Sequence, residues 1–142
     1  TSFAWFLTVA RIPQMVTAAI IENVKTPWAF IAMVNVILLI VGMFIEGIAA
    51  IVILAPLFFP IAQQMGIDAL HLGIVMVSNL ALGNFTPPFG LNLFVAAGVT
   101  GLPMSKIIGA VTKFILVSIV GLLVISYVPS LSTFLPALVY GR

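Results

Sequence analysis

The chain has 142 residues, 63% of them hydrophobic and 6% charged, with five Lys or Arg against three Asp or Glu for a formal net charge of +2. A soluble domain carries about a quarter charged residues, so this is the composition of a membrane protein. The few cations are too scattered to make a nucleic-acid stripe or a basic patch, and the absence of cysteine excludes disulfides, thiolate metal sites and thiol nucleophiles.

Residues 1–25 read as the end of a preceding helix followed by an amphipathic segment. The opening TSFAWFLTVAR has neither an initiator methionine nor a charged region ahead of its apolar run, so it does not resemble a signal peptide. The 142 residues are expected to form a single transmembrane region belonging to a longer membrane protein, because so short a chain offers few spans with which to enclose a polar pathway. Turn signals at ENVKTP (22–27), QQMGID (63–68) and GLPMSK (101–106) then delimit three longer apolar blocks.

The first block, 29–62, would be about 51 Å long as one helix, against a hydrocarbon core of about 30 Å. In its middle lies GMFIEG, where Gly42 and Gly47 bracket Glu46. An apolar arm of about 13 residues on either side, roughly 20 Å long, would reach the bilayer midplane and return as a re-entrant helical hairpin. The alternative is one tilted span whose glycines allow close helix packing; Pro56 and Pro60 weigh against a straight rod. A carboxylate at the bilayer centre costs about 2.5–3.5 kcal/mol on insertion scales, which the block's apolar residues outweigh, so the cost decides only that Glu46 turns away from lipid.

The second block, 69–100, reads as a discontinuous helix: 69–83 and 91–100 can cross the bilayer together while NFTPPF interrupts them. Pro87 and Pro88 have no N–H, so the carbonyls of Gly83 and Asn84 are expected to lose their helical partners. Oxygen groups left unpaired in hydrocarbon need another ligand, and a hard cation is a fitting one. Gly83, Asn84 and Thr86 would supply carbonyl, amide and hydroxyl oxygens, and Glu46 a carboxylate. The two half-helix ends turn opposite partial charges into the gap, so one gap can hold a cation and an anion. A plain proline kink with freed carbonyls satisfied by neighbours is the competing reading. Asn35, Ser78, Asn79 and Asn92 are expected to be interhelical hydrogen-bond partners, and Asp68 and His71 solvated loop-edge residues.

The third block, 104–128, has the length of an ordinary transmembrane helix, with Ser105 as candidate N-cap and Pro129 as its stop. Lys106 and Lys113, seven apart on one face, are expected to snorkel to the headgroups and favour a cytoplasmic GLPMSK loop.

The runs GMFIEGIAAIVILAPLFFPIAQQMGID and HLGIVMVSNLALGNFTPPFGLNLFVAAG, in this order and spacing, resemble the C-terminal part of the large membrane subunit of TRAP transporters, the tripartite ATP-independent periplasmic transporters of bacteria. That family is itself similar to the divalent-anion sodium symporters. The resemblance implies an all-α membrane protein with transmembrane helices, a re-entrant helical hairpin and a discontinuous helix, one half of an inverted-repeat, elevator-type transporter. It implies sodium-driven import of an organic acid across the bacterial inner (cytoplasmic) membrane by a multi-pass protein, working with a small membrane subunit and a soluble periplasmic substrate-binding protein.

Carried over by position, Gly42, Glu46, Gly83, Asn84 and Thr86 would hold Na+; Asn84, Thr86 and Gly90 would touch substrate; Gly47, Pro87 and Pro88 would make the breaks. Family members often have Asp at the tip where this chain has Glu46. The rival reading is a passive channel or structural membrane subunit. An intramembrane enzyme finds little support, since the chain has no cysteine, one histidine and no HExxH motif.

Overall fold

The computed structural model describes residues 24–140, and among them every regular element is a helix. The segment expected at 1–25 lies, up to residue 23, outside the described residues. The helices are α1 (Pro27–Phe44), α2 (Gly47–Gln64), α3 (Ala69–Gly83), α4 (Leu91–Thr100), α5 (Met104–Tyr127) and α6 (Pro129–Tyr140).

Local chemistry sets the starts. Thr26 caps α1, its hydroxyl accepting from Ala29 N at 3.3 Å with Pro27 as the first helical residue. Glu46 caps α2, and Asp68 caps α3 by accepting from Leu70 N and His71 N at 2.8 and 3.1 Å. Gly101, at φ +66°, ends α4 in the left-handed conformation that glycine tolerates best. α5 begins at Met104 with Pro103 as its cap, so Ser105 sits in the first turn and makes no cap.

Three of the helices, α1, α2 and α5, are long and apolar enough to cross a membrane. α5 buries Ile107, Ile115, Leu122 and Ser126, yet leaves Phe114, Val117 and Val120 exposed, so it is apolar around most of its circumference, as a helix solvated by lipid is.

α1 and α2 differ from the expected arms. Each has 18 residues, not about 13, and Gly42 lies in the last turn of α1. The interruption is the pair Ile45 and Glu46. Pro56 and Pro60 sit inside α2 without ending it. Phe30 meets Phe58 edge-to-face at 6.2 Å, so the start of α1 lies beside the end of α2 and the chain turns back between them. α3 lies against both, and its Leu72, Met76 and Leu80 complete one core with Phe30, Val34 and Leu38 of α1 and Phe58 and Ile61 of α2.

A polar seam runs through this apolar bundle. Asn79 Nδ2 of α3 donates to Asn35 Oδ1 of α1 at 2.6 Å and to the Val75 carbonyl at 2.8 Å, and Ser126 Oγ of α5 donates to the same Asn35 oxygen at 3.1 Å. Interhelical bonds of this kind contribute on the order of 0.6–2 kcal/mol in membranes. His71 is no solvated loop-edge residue: it is 3% exposed. Its Nε2 donates to the Ser126 carbonyl at 3.2 Å, and its Nδ1 is hydrogen-bonded to the Ser132 hydroxyl of α6 at 3.1 Å. The imidazole thus satisfies a last-turn carbonyl of α5 that the helix itself leaves open. The loop-edge expectation failed because it counted position along α3 without knowing that the α5–α6 corner closes over that turn.

Candidate functional site

α5 serves as a ruler for depth. Ser78, Ala81, Leu82 and Phe85 share a groove with Ser118, Gly121, Leu122 and Ile125. Ser118 lies about 21 Å along α5 from Met104 and about 13.5 Å from Tyr127, at 1.5 Å per residue. Gly121, Leu122 and Ile125 lie nearer still to Tyr127, so the end of α3 adjoins the C-terminal half of a helix that is long enough to span the bilayer.

At that depth the chain between Gly83 and Leu91 stops winding as an α-helix. The peptide bond joining Pro87 and Pro88 is cis. The carbonyls of Gly83 and Asn84 are nevertheless not left bare: Thr86 N donates to Gly83 O at 3.0 Å, and Asn92 N, reaching back from α4, donates to Asn84 O at 2.9 Å. The reason is geometric. The interruption folds as consecutive tight turns, with Phe85 N on Leu82 O at 3.2 Å, and this returns donors to the oxygens that proline cannot serve. Each such carbonyl keeps a second lone pair.

Among the described residues, the buried side-chain oxygen Asn84 Oδ1 has no hydrogen-bond partner. Beside it, Thr86 is 7% exposed and its hydroxyl donates to Leu82 O at 2.7 Å, which commits the proton and leaves the oxygen free to accept. Gly90, at φ +39°, has no side chain where one would collide. A Cβ there would stand 3.0 Å from Thr86 O and 3.1 Å from Asn84 O, so the two carbonyls converge on the space that glycine leaves. Asn84, Thr86 and Gly90 are thus one wrapped unit, with amide, hydroxyl and carbonyl oxygens close together.

The turn between α1 and α2 is brought to this unit by backbone contact. A Cβ on Gly83 would lie 2.7 Å from Gly42 Cα, and one on Gly42 would lie 3.2 Å from Gly83 Cα, so the two glycines pack main chain on main chain. Gly47 lies close to Leu80, where an added Cβ would be 3.7 Å from the leucine Cβ. Phe44 and Phe89 close the junction with ring centroids 4.7 Å apart. This aromatic pair was missed in the sequence, where the only signal was that each phenylalanine adjoins a residue of a helix interruption.

The C-terminal ends of α1 and α3 consequently point at one place, each carrying roughly half a negative charge. Glu46 does something different. It is exposed and accepts from Ile48 N through Oε1 at 3.1 Å and from Ala49 N through Oε2 at 3.2 Å. Its hydrogen bonds all go to its own helix, and none reaches the break. Among the described residues there is no group of three or more His, Cys, Asp or Glu that could hold a metal. The donors at the junction are neutral oxygens with at most one carboxylate, a set that suits a hard cation, and the partnerless Asn84 oxygen fits that use.

Residues 1–131 match the family of the tripartite ATP-independent periplasmic transporter, DctM component. The C4-dicarboxylate TRAP transporter large permease protein DctM of Pseudomonas aeruginosa is 47% identical over 134 residues, which are 94% of this chain and 31% of that protein. The protein of the same description from Vibrio cholerae is 46% identical over 95% of this chain and 30% of its own length. The isethionate TRAP transporter permease protein DctMQ of Oleidesulfovibrio alaskensis is 40% identical over 94% of this chain and 21% of its own length. The chain spans about a third or less of the length of these relatives.

Proposed function

The chain belongs to the DctM family of TRAP transporter large permeases, a membrane transport protein and not an enzyme, and from that premise we propose that it serves sodium-coupled import of an organic acid anion across the bacterial inner membrane. In this reading the chain is part of a multi-pass large subunit that works with a small membrane subunit and a periplasmic binding protein. Relatives are described as carrying C4-dicarboxylates and isethionate, and an anion of that class is the proposed cargo here.

The observation that carries the proposal is the buried Oδ1 of Asn84, without a partner among the described residues, in a break that adjoins the C-terminal half of the membrane-length helix α5. A buried acceptor without a donor costs about 1–3 kcal/mol, so its retention asks for a ligand. Na+ would be held there by oxygens from Asn84 and Thr86, with the carbonyls of Gly42 and Gly83 at the two adjacent helix ends, while the Glu46 carboxylate stays at the turn as the cap of α2. When bound, the ion supplies positive charge to a site with no cationic side chain in it. Substrate would approach at Asn84, Thr86 and Gly90, beside the N-terminus of α4, which has no side-chain cap.

The turn between α1 and α2 acts in this reading as the tip of a re-entrant hairpin, and the whole as one half of an inverted repeat. Because Gly42 and Gly83 touch through main chain, tip and break would move as one body, which suits an elevator-type carrier.

The energetics allow uphill import without ATP. At about 100 mV each inward Na+ yields about 2.3 kcal/mol, and a tenfold gradient adds about 1.4 kcal/mol. Two ions would thus supply about 7.4 kcal/mol, of which importing a monoanion against the potential consumes about 2.3 and a dicarboxylate dianion about 4.6.

The test is uptake by proteoliposomes holding the complete transporter. We expect uptake to need an inward sodium gradient, and Thr86→Ala to raise the sodium concentration for half-maximal uptake about tenfold with assembly unchanged. Uptake that continues after the gradient is collapsed would instead favour a passive channel.

A further inference from the structure

The opposite end of α1 and α3, away from the junction of the two breaks, carries a second feature. Two adjoining cavities of about 340 and 430 Å³ share Pro27 and Met65 as walls. The first is lined by Trp28, Ile31, Asp68 and His71, and the second by Val24, Lys25 and Gln64. Trp28 stacks on Tyr127 with centroids 5.5 Å apart and an interplanar angle of 19°. Trp and Tyr gather at membrane–water boundaries, where an amphipathic ring meets both phases, so these cavities open where a headgroup would be.

The lining sorts the charges. Both nitrogens of His71 are engaged by Ser126 and Ser132, so the ring is spent as structure. Asp68 makes both of its hydrogen bonds through Oδ1, leaving Oδ2 unengaged among the described residues. The first cavity therefore offers a carboxylate oxygen, an indole and an apolar wall of Ile31, Met65 and Ile67, and the second offers a single ammonium.

We propose that this end of the bundle seats one zwitterionic aminophospholipid, its ammonium at Asp68 and Trp28, its phosphate at Lys25 and its acyl chain along Ile31, Met65 and Ile67. A carboxylate and an indole are the chemistry that recognises an alkylammonium, by charge pairing and by the ring's negative face. A lysine recognises phosphate as a point charge. Placed in two adjoining cavities that share Pro27 and Met65, they match a headgroup that carries both charges. A purely anionic lipid such as phosphatidylglycerol would satisfy Lys25 with its phosphodiester and leave Asp68 without a cation. Cavities of this size lie within the usual 300–1,000 Å³ range of ligand pockets.

The experiment is native mass spectrometry of the complete, delipidated subunit, offered phosphatidylethanolamine or phosphatidylglycerol. Wild type should retain one phosphatidylethanolamine at least tenfold more than phosphatidylglycerol. Asp68→Asn keeps an N-cap oxygen for α3, so it should leave the melting temperature unchanged and abolish that preference. Trp28→Leu should weaken retention several-fold without reversing the preference. No retained lipid, equal retention of phosphatidylglycerol, or an unchanged preference in Asp68→Asn overturns the proposal. The readout contains no transport step, so it stands or falls apart from the sodium site.

Discussion

The bundle has two interruptions at the same junction, and they solve one problem in opposite ways. Between α1 and α2 the chain loses only Ile45 and Glu46 from helix, and the Glu46 carboxylate spends both oxygens on the first N–H groups of α2. Between α3 and α4 the gap runs from Asn84 to Gly90, Gly83 O and Asn84 O find donors in Thr86 N and Asn92 N, and the side-chain oxygen of Asn84 is left over among the described residues. The first interruption is closed by its own charge; the second retains an open acceptor. A transport site built from a pair of breaks can thus keep one as a fixed wall and the other as the ligand-binding face.

The hardest blow to this pairing would fall at the glycine contact. Gly83→Ala forces a methyl to within 2.7 Å of Gly42 main chain, where no flexible side chain can yield. We expect a loss of about 1–3 kcal/mol or more by overpacking, with a large fall in melting temperature and in assembled subunit. Gly42→Ala meets the same surface at 3.2 Å and should cost less. If Gly83→Ala melts like wild type, the two breaks are not held together as described.

Asn84→Leu separates the two solutions. Removing an unsatisfied buried oxygen should leave stability unchanged or raise it by up to about 1–3 kcal/mol, while sodium dependence of uptake falls at least tenfold. A stable variant with wild-type sodium dependence would remove Asn84 from the proposed site.

Glu46 should behave as a cap first. Glu46→Ala is expected to cost about 0.5–2 kcal/mol, the usual range for a lost N-cap, measured by thermal unfolding in detergent. Glu46→Asp should recover most of that cost, since Asp is a favoured cap. An equal melting point for Glu46→Ala and wild type would show that the first interruption is not closed in this way.

The smallest effect belongs to the seam that holds α1 to α3 below the breaks. Asn35→Leu leaves the Asn79 amide with only its Val75 carbonyl and takes the acceptor from the Ser126 hydroxyl, whereas Asn35→Leu with Asn79→Leu removes both amides and leaves only that hydroxyl unserved. The double variant should therefore be more stable than the single by about 1 kcal/mol, read as a double-mutant cycle. Additive losses would mean that the 2.6 Å bond contributes nothing specific.

Residues such as Pro87 and Pro88 were legible at once. A residue without an N–H interrupts an i→i+4 ladder in any surroundings, and Gly83, Thr86 and Gly90 around it named the place. The consequence is not legible: the prolines alone predict bare oxygens at Gly83 and Asn84, whereas Thr86 N and Asn92 N return to them. Glu46 was legible as a polar residue at a turn, yet its use as a cap was not, since GMFIEG leaves open whether the next helix starts one residue on or further away. His71 was misjudged because nothing in HLGIVM shows that a carbonyl fifty-five residues later will lie 3.2 Å from its ring.

Composition and the proline pair, then, determine by themselves that this is a membrane protein with a helix broken inside it: both follow from hydration and covalent structure, which no neighbour alters. Only the tertiary structure decides which oxygens stay open, which glycines touch and which histidine is covered. In helices that are apolar on every side, the sequence carries no stripe to say which face meets which, so those choices are made by shape when the helices pack.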